Sequence, residues 1–232
     1  MAGRRLLIAL CLLLAAAFAA LGVWQVERRA WKLDLIAKVE ARVHAPPRPL
    51  PAFSAPVREL TYLRVHVRGV FLHDRETLVQ AVTDLGPGWW VMTPLRTDAG
   101  IVIVNRGYVT SERRAPAQRS AGQTHDLVTV TGLLRQSEPG GGFLRSNDPR
   151  ADRWYSRDVA AIAARQGLAR VAPYFIDADA ARNAPGAPVG GLTVVAFSNN
   201  HLVYAITWYV LAMMTAAGFF YWITLRRRSD AV

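Results

Sequence analysis

The sequence predicts an α+β membrane protein in which two transmembrane helices flank a β-rich external domain with at least one helix. Three observations carry this. Leu6 to Val23 is a run of 18 residues without a charge, and Leu202 to Leu225 is a second of 24. Between them apolar residues recur at period two, the spacing of half-buried strands. The composition agrees: the 232 residues are 52% hydrophobic and only 19% charged, against about 25% charged in an ordinary soluble domain. The length admits one domain with attachments and excludes a large multidomain machine. The apolar fraction excludes a disordered chain. A lone cysteine, Cys11, excludes an internal disulfide and any CxxC pair. The net charge of +11 is compatible with nucleic acid, anionic lipid or neither.

The first run follows Arg4 and Arg5 and is about the minimum for a helical span. Ala17-Phe18-Ala19 would also pass as a small-x-small cleavage site, so this run alone reads evenly as an anchor or a signal peptide. Leu10 before Cys11 is too large for a lipoprotein signal. The second run is long enough to span with some tilt. Phe219 to Trp222 supply an aromatic belt just before Arg226, Arg227 and Arg228. Basic residues at both outer ends place both termini in the cytoplasm. No Arg/Ser-rich presequence precedes the first run, which favours a bacterial inner membrane over a mitochondrial one. The expected division is a cytoplasmic N-terminus (1–5), transmembrane helix 1 (6–26), a helical extension and Pro-rich linker (27–59), a periplasmic β-rich α+β domain (60–199), transmembrane helix 2 (200–225) and a cytoplasmic tail (226–232).

Within the external part, Glu27 to Val43 is polar and helix-compatible. Ala45 to Pro56 contains Pro46, Pro47, Pro49, Pro51 and Pro56 and reads as an extended linker. Leu63 to Arg68 alternates apolar with basic residues, a half-buried strand. Thr77 to Val82, Trp89 to Leu95, Ile101 to Val104 and Leu127 to Leu134 are further strands, and Leu192 to Phe197 is the last. Asn105-Arg106-Gly107 marks a bulge or turn before Tyr108 and Val109. One segment reads as a helix: Ser156 caps it, Asp158 favours its first turn, and Val159 to Gln166 is Ala-rich before Gly167.

No catalytic machinery emerges, so the chain is not expected to be an enzyme. The five histidines form no HxH, HExxH or HxxxH spacing, which argues against a zinc hydrolase. His44, His66 and His125 read as surface residues. His73-Asp74 lacks a nucleophile elbow. Glu138 to Phe143 is glycine-rich without a P-loop ending and reads as a flexible loop. Met213-Met214 reads as lipid-facing packing. Nucleic-acid binding is excluded by the dispersed basic residues and the external location. His201 differs. It follows Ser198-Asn199-Asn200, a natural helix cap, and opens the second span. At about 100° per residue Tyr204 and Trp208 fall near it, and Ala205 leaves the sector shallow. An ionisable residue at a span end suggests function. An interfacial histidine in an aromatic belt fits the same geometry equally. The first span ends at the same face, where Trp24, Arg28 and Trp31 share one helical side. Histidine, apolar walls and an arginine for carboxylates are what a haem site at a membrane surface requires. The arginines also read as snorkelling to headgroups.

Several motifs in order are similar to one family. They are Leu21-Gly22-Val23-Trp24-Gln25 with Arg28 and Trp31-Lys32, Gly88 to Leu95, and Val104-Asn105-Arg106-Gly107-Tyr108-Val109. Gly132 with Arg135, Asn147-Asp148-Pro149, Trp154-Tyr155, and Asn200-His201-Leu202 through Tyr209 follow. The chain resembles the surfeit-locus family of cytochrome c oxidase assembly proteins nearly end to end. The resemblance implies an assembly factor for the terminal, aa3-type oxidase. Such a factor would bind haem a transiently at the outer membrane face and assist its insertion into subunit I. His201 would be the ligand to haem iron, with Tyr204, Trp208, Trp24, Gln25 and Arg28 completing the cofactor site. The implied partners are oxidase subunit I and its assembly intermediates, haem a synthase and membrane lipid. The alternative is a non-haem structural scaffold that stabilises an oxidase intermediate through the external domain.

Overall fold

In the structure, a computed structural model, residues 2–180, 186–195 and 197–229 are described. Residues 230–232 of the expected tail, Met1 of the expected N-terminus and Ala196 of the expected last strand lie outside them. The chain divides into two compact units, Met1–Lys38 with Ala196–Val232, and Val39–Val195.

The first unit holds the N-terminal helix α1 (Ala2–Val43) as far as Lys38 and the C-terminal helix α4 (His201–Ser229). Leu and Ala, strong helix formers, dominate the apolar part of α1. The helix stops short of Pro46 and Pro47, because a residue before proline is pushed out of the α region. Both helices are long and apolar enough to cross a membrane. Leu6, Leu12 and Leu13 on α1 and Met213, Met214 and Phe220 on α4 are exposed, so the apolar surface is not consumed within the pair.

The second unit is a β-domain. Its elements are β1 (Arg48–Pro49), α2 (Val57–Leu60), β2 (Arg64–Phe71), β3 (Thr77–Thr83), β4 (Gly86–Thr97), β5 (Gly100–Val109), β6 (Val128–Gln136), the short hairpin β7 (Gly141–Gly142) and β8 (Arg145–Ser146), α3 (Val159–Arg165) and β9 (Val171–Ala178). The main sheet runs β1-β2-β6-β9-β5-β4-β3, and β2 also pairs with β4. That extra pairing, Val70 with Arg96 and Phe71 with Leu95, closes β2, β6, β9, β5 and β4 into a ring. Closure removes free edges within the ring. The β5–β9 pair is parallel, and the other pairs within the ring are antiparallel. One core, including Val65, Val67, Leu95, Val104, Tyr174 and Ile176, packs on one face. A second, including Val79, Met92, Ile103, Trp154, Ile162 and Phe175, packs on the other with α3.

The strands expected from alternation are present. Three readings are corrected. Leu192 to Phe197 forms no strand among its described residues, because β9 is already flanked by β5 and β6. The sheet position instead belongs to Val171–Ala178, which the alternation did not reveal. Its Tyr174 and Ile176 enter one core and Phe175 the other, so both faces are apolar and period two is lost. Asp158, not Ser156, caps α3, accepting from the Ala161 amide at 3.1 Å. The Ser156 hydroxyl is occupied elsewhere, donating to the Glu138 carbonyl at 2.6 Å. Finally, the proline-rich stretch is more than a linker. Arg48 and Pro49 pair in parallel with Val65 and His66 at the sheet edge, and Leu50 and Phe53 pack on the core. Pro49 sits there without disrupting the ladder because an edge strand can spare its N–H.

Candidate functional site

The two helices of the first unit meet along complementary stripes. On α1 the stripe is Phe18, Gly22 and Gln25; on α4 it is His201, Ala205 and Trp208, both at helical spacing. Phe18 stacks on Trp208 with centroids 5.7 Å apart and planes 24° apart. The Tyr209 ring lies where a Cβ on Gly22 would be, 2.7 Å from Cε1, so any side chain there would displace the ring. Ala205 is 2% exposed. Small residues that let helix backbones approach are the usual device of helix pairs in lipid.

At the end of the stripe, His201 Nδ1 lies 2.7 Å from Gln25 Oε1. Gln25 is 8% exposed. A ring donating through Nδ1 to this amide oxygen carries its lone pair on Nε2, which has no partner among the described residues. This is how a ligating histidine is prepared: one nitrogen is fixed by an outer partner and the other is free for the metal. The buried Asn199 Oδ1, two residues before His201, also lacks a hydrogen-bond partner among the described residues. Trp24 and Tyr204 are about half exposed at 53% and 54%. The Arg28 guanidinium stands 4.0 Å from the Trp31 ring centroid. A haem would need an imidazole with a free Nε2, which His201 offers; the rings of Trp24 and Tyr204 and the Arg28 cation lie on the same two helices.

Of the residues expected at the site, the structure brings His201 and Gln25 into contact. Trp208 instead stacks on Phe18, and the recorded partner of Arg28 is Trp31 rather than His201. Trp24 and Arg28 fall roughly 100° and 60° around α1 from Gln25, which is why they do not share its contact. Phe18 and the close approach at Gly22 were not anticipated. A glycine three residues before a glutamine, inside an apolar helix, was the available signal.

The remaining shared motifs build the β-domain. Asp177, 3% exposed, accepts from Asn105 Nδ2 at 2.8 Å, Arg135 Nη1 at 2.8 Å and Arg157 Nη1 at 3.1 Å. Arg157 also binds Glu138. Asn105 Oδ1 accepts from the Gly107 amide at 3.1 Å, and Gly107, at φ +131, has the Val189 carbonyl where a side chain would be. Asn147 Oδ1 accepts from the Tyr155 and Ser156 amides at 2.8 and 3.2 Å. Trp154 is buried and donates to Asp152 at 2.8 Å. His73 is buried too, with Nε2 2.9 Å from the Thr124 carbonyl. Burial, reinforced by the Arg106 guanidinium, lowers its pKa below 6.5.

Comparison with known proteins points to one family. The SURF1 family matches residues 12–213, a range that includes the Gln25–His201 pair and the whole β-domain. The chain is 40% identical to Surfeit locus protein 1 of Rattus norvegicus over 213 residues, covering 84% of this chain and 69% of the relative. It is 39% identical to Surfeit locus protein 1 of Homo sapiens, with 84% and 70% covered. It is 37% identical to the SURF1-like protein of Monosiga brevicollis, with 90% and 83% covered. With the match running through both helices and the domain between them, the chain belongs to the SURF1 family.

Proposed function

We propose that this protein is a two-pass membrane assembly factor for cytochrome c oxidase, holding haem a for insertion into subunit I. The Gln25–His201 hydrogen bond carries the reading. It orients one imidazole at the start of α4 and leaves Nε2 available as an iron ligand. Haem a, as cargo, is an apolar, redox-active macrocycle that is hazardous when free. Gln25 fixes the orientation of the ring. Trp24 and Tyr204 offer flat apolar surface, and Arg28 a cation for the carboxylates. A single protein ligand holds the group yet lets it leave, which a carrier needs and an enzyme does not.

The apolar α1 and α4 support a two-pass topology with both termini inside and the β-domain in the periplasm of a bacterial inner membrane. Reporter fusions after Lys38 and after Val232 test it: a cytoplasmic signal from the first fusion removes the topology. For the cargo, the protein is produced together with haem a synthesis and its spectrum recorded. A Soret band is expected in the wild type and absent in His201→Ala. Equal haem content in both removes His201 as the ligand.

A second reading is a structural scaffold, favoured by Phe143 and Leu144. They stand 91% and 89% exposed at the tip of the β7–β8 hairpin, a surface suited to a protein partner. Under that reading His201→Ala supports normal oxidase assembly, and Phe143→Ser with Leu144→Ser does not.

A further inference from the structure

Among the described residues, Arg106 is a cation without a paired counter-ion. Its Nη2 donates to the Gly122 carbonyl, its Nη1 lies 3.4 Å from His73 Nδ1, and its Cζ stands 5.0 Å from the Phe71 centroid. None of these partners is anionic. With His73 donating through Nε2 to Thr124, Nδ1 is the acceptor of a neutral ring. Glu76, the carboxylate whose field reaches Arg106, is itself clamped by Arg119. Other buried or half-buried arginines of the β-domain behave differently: Arg64, Arg119, Arg135 and Arg157 each meet a carboxylate. A guanidinium has five N–H donors, so three on Arg106 are left without a protein acceptor among the described residues. Desolvation lowers its pKa, the mark of a charge held where water compensates it poorly.

This guanidinium lines a cavity of about 310 Å³, within the range of small-molecule sites. Phe71, Val128, Val130, Ala178 and Pro188 make much of the wall apolar. The wall's carboxylate, Asp179, is neutralised by Arg64, whose Nε and Nη2 reach it at 3.1 and 2.6 Å. A largely apolar chamber with one under-compensated guanidinium matches one ligand chemistry. We propose that the cavity binds a small organic carboxylate, its carboxyl group on the free N–H groups of Arg106 and its apolar body against Phe71, Val128 and Val130.

The test uses the full chain in detergent at constant ionic strength, with phenylacetate as the probe. Phenylacetamide serves as its neutral isostere and inorganic phosphate as a bare anion. Phenylacetate is expected to raise the unfolding midpoint, by an increment that grows with the logarithm of its concentration once that exceeds Kd. Phenylacetamide should bind at least about tenfold more weakly, the scale of one charge-assisted hydrogen bond. Arg106→Met should abolish the difference between acid and amide. Ala121→Leu, which narrows the cavity but keeps Arg106, should weaken phenylacetate by about tenfold as well. If Arg106→Met does not fold, the acid–amide comparison on the wild type and the Ala121→Leu variant decide. No rise of the midpoint with phenylacetate, equal responses to acid and amide, or undiminished binding in Ala121→Leu overturns the proposal. So does a phosphate response as strong as that to phenylacetate, which leaves a bare anion site in place of a carboxylate pocket.

Discussion

Among the described residues, the side-chain hydrogen bond that joins α1 to α4 is Gln25 with His201. In the β-domain, Asp177 alone accepts from Asn105, Arg135 and Arg157. The helix pair is held by surface fit: glycine against a tyrosine ring, ring on ring, alanine in the seam. It places its polar contact where α4 begins. The β-domain can bury charges because neighbouring strands bring several partners to each one. The difference shows where function is legible. A polar pair is expensive in apolar surroundings and needs a reason, whereas an ion network inside a β-domain is ordinary framework.

The comparison breaks most sharply at Asp177. Asp177→Ala leaves Arg135 and Arg157 beside a buried void of charge, and about 3–5 kcal/mol of domain stability should be lost. Denaturant unfolding of the full chain measures it. A loss under about 1 kcal/mol would mean that the network is not framework, and the contrast with the helix pair would fail. Gln25→Leu should act in the opposite sense. The unfolding of the β-domain stays unchanged, while retention of haem a falls about tenfold to a hundredfold, as for removal of a partner behind a metal ligand. Equilibrium spectra of the purified variant give the ratio, and retention equal to wild type would remove Gln25 from the site.

The smallest effect is on pH. Burial holds the His73 pKa below 6.5 in the folded domain. Below that pH the unfolded chain takes up a proton that the folded one refuses. The stability contributed by neutral His73 is therefore present above about pH 6.5 and lost as the pH falls toward the folded pKa. The unfolding midpoint should drop between about pH 7 and pH 5, and His73→Gln should flatten that drop. An unchanged slope in the variant would assign the drop to other groups.

How much was legible depends on whether a segment sees one environment or two. The terminal helices, and the strands from β2 to β6, could be read because charge-free length and alternation survive in the sequence. β9 could not, since Val171 to Ala178 lies between two strands with apolar packing on both faces. The cap of α3 was displaced by two residues because Ser156 had a distant partner in Glu138 that local spacing does not reveal. At the site, His201 stood out from its place after a helix cap. The choice of Trp24 and Arg28 as its neighbours followed from their shared side of α1, but that side is not the one that meets α4.

The sequence by itself determined the two apolar helices, the β-rich domain between them, His201 at the head of the second helix, and family membership through motifs in order. All of these depend on composition, period or local spacing. Tertiary structure decided which helix faces meet, and so made Gln25 the partner of His201. It also closed the ring through β2 and β4, and left Arg106 lining a cavity with no carboxylate paired to it among the described residues. Each of those joins residues far apart in the chain, where the outcome depends on packing and desolvation that no local pattern encodes.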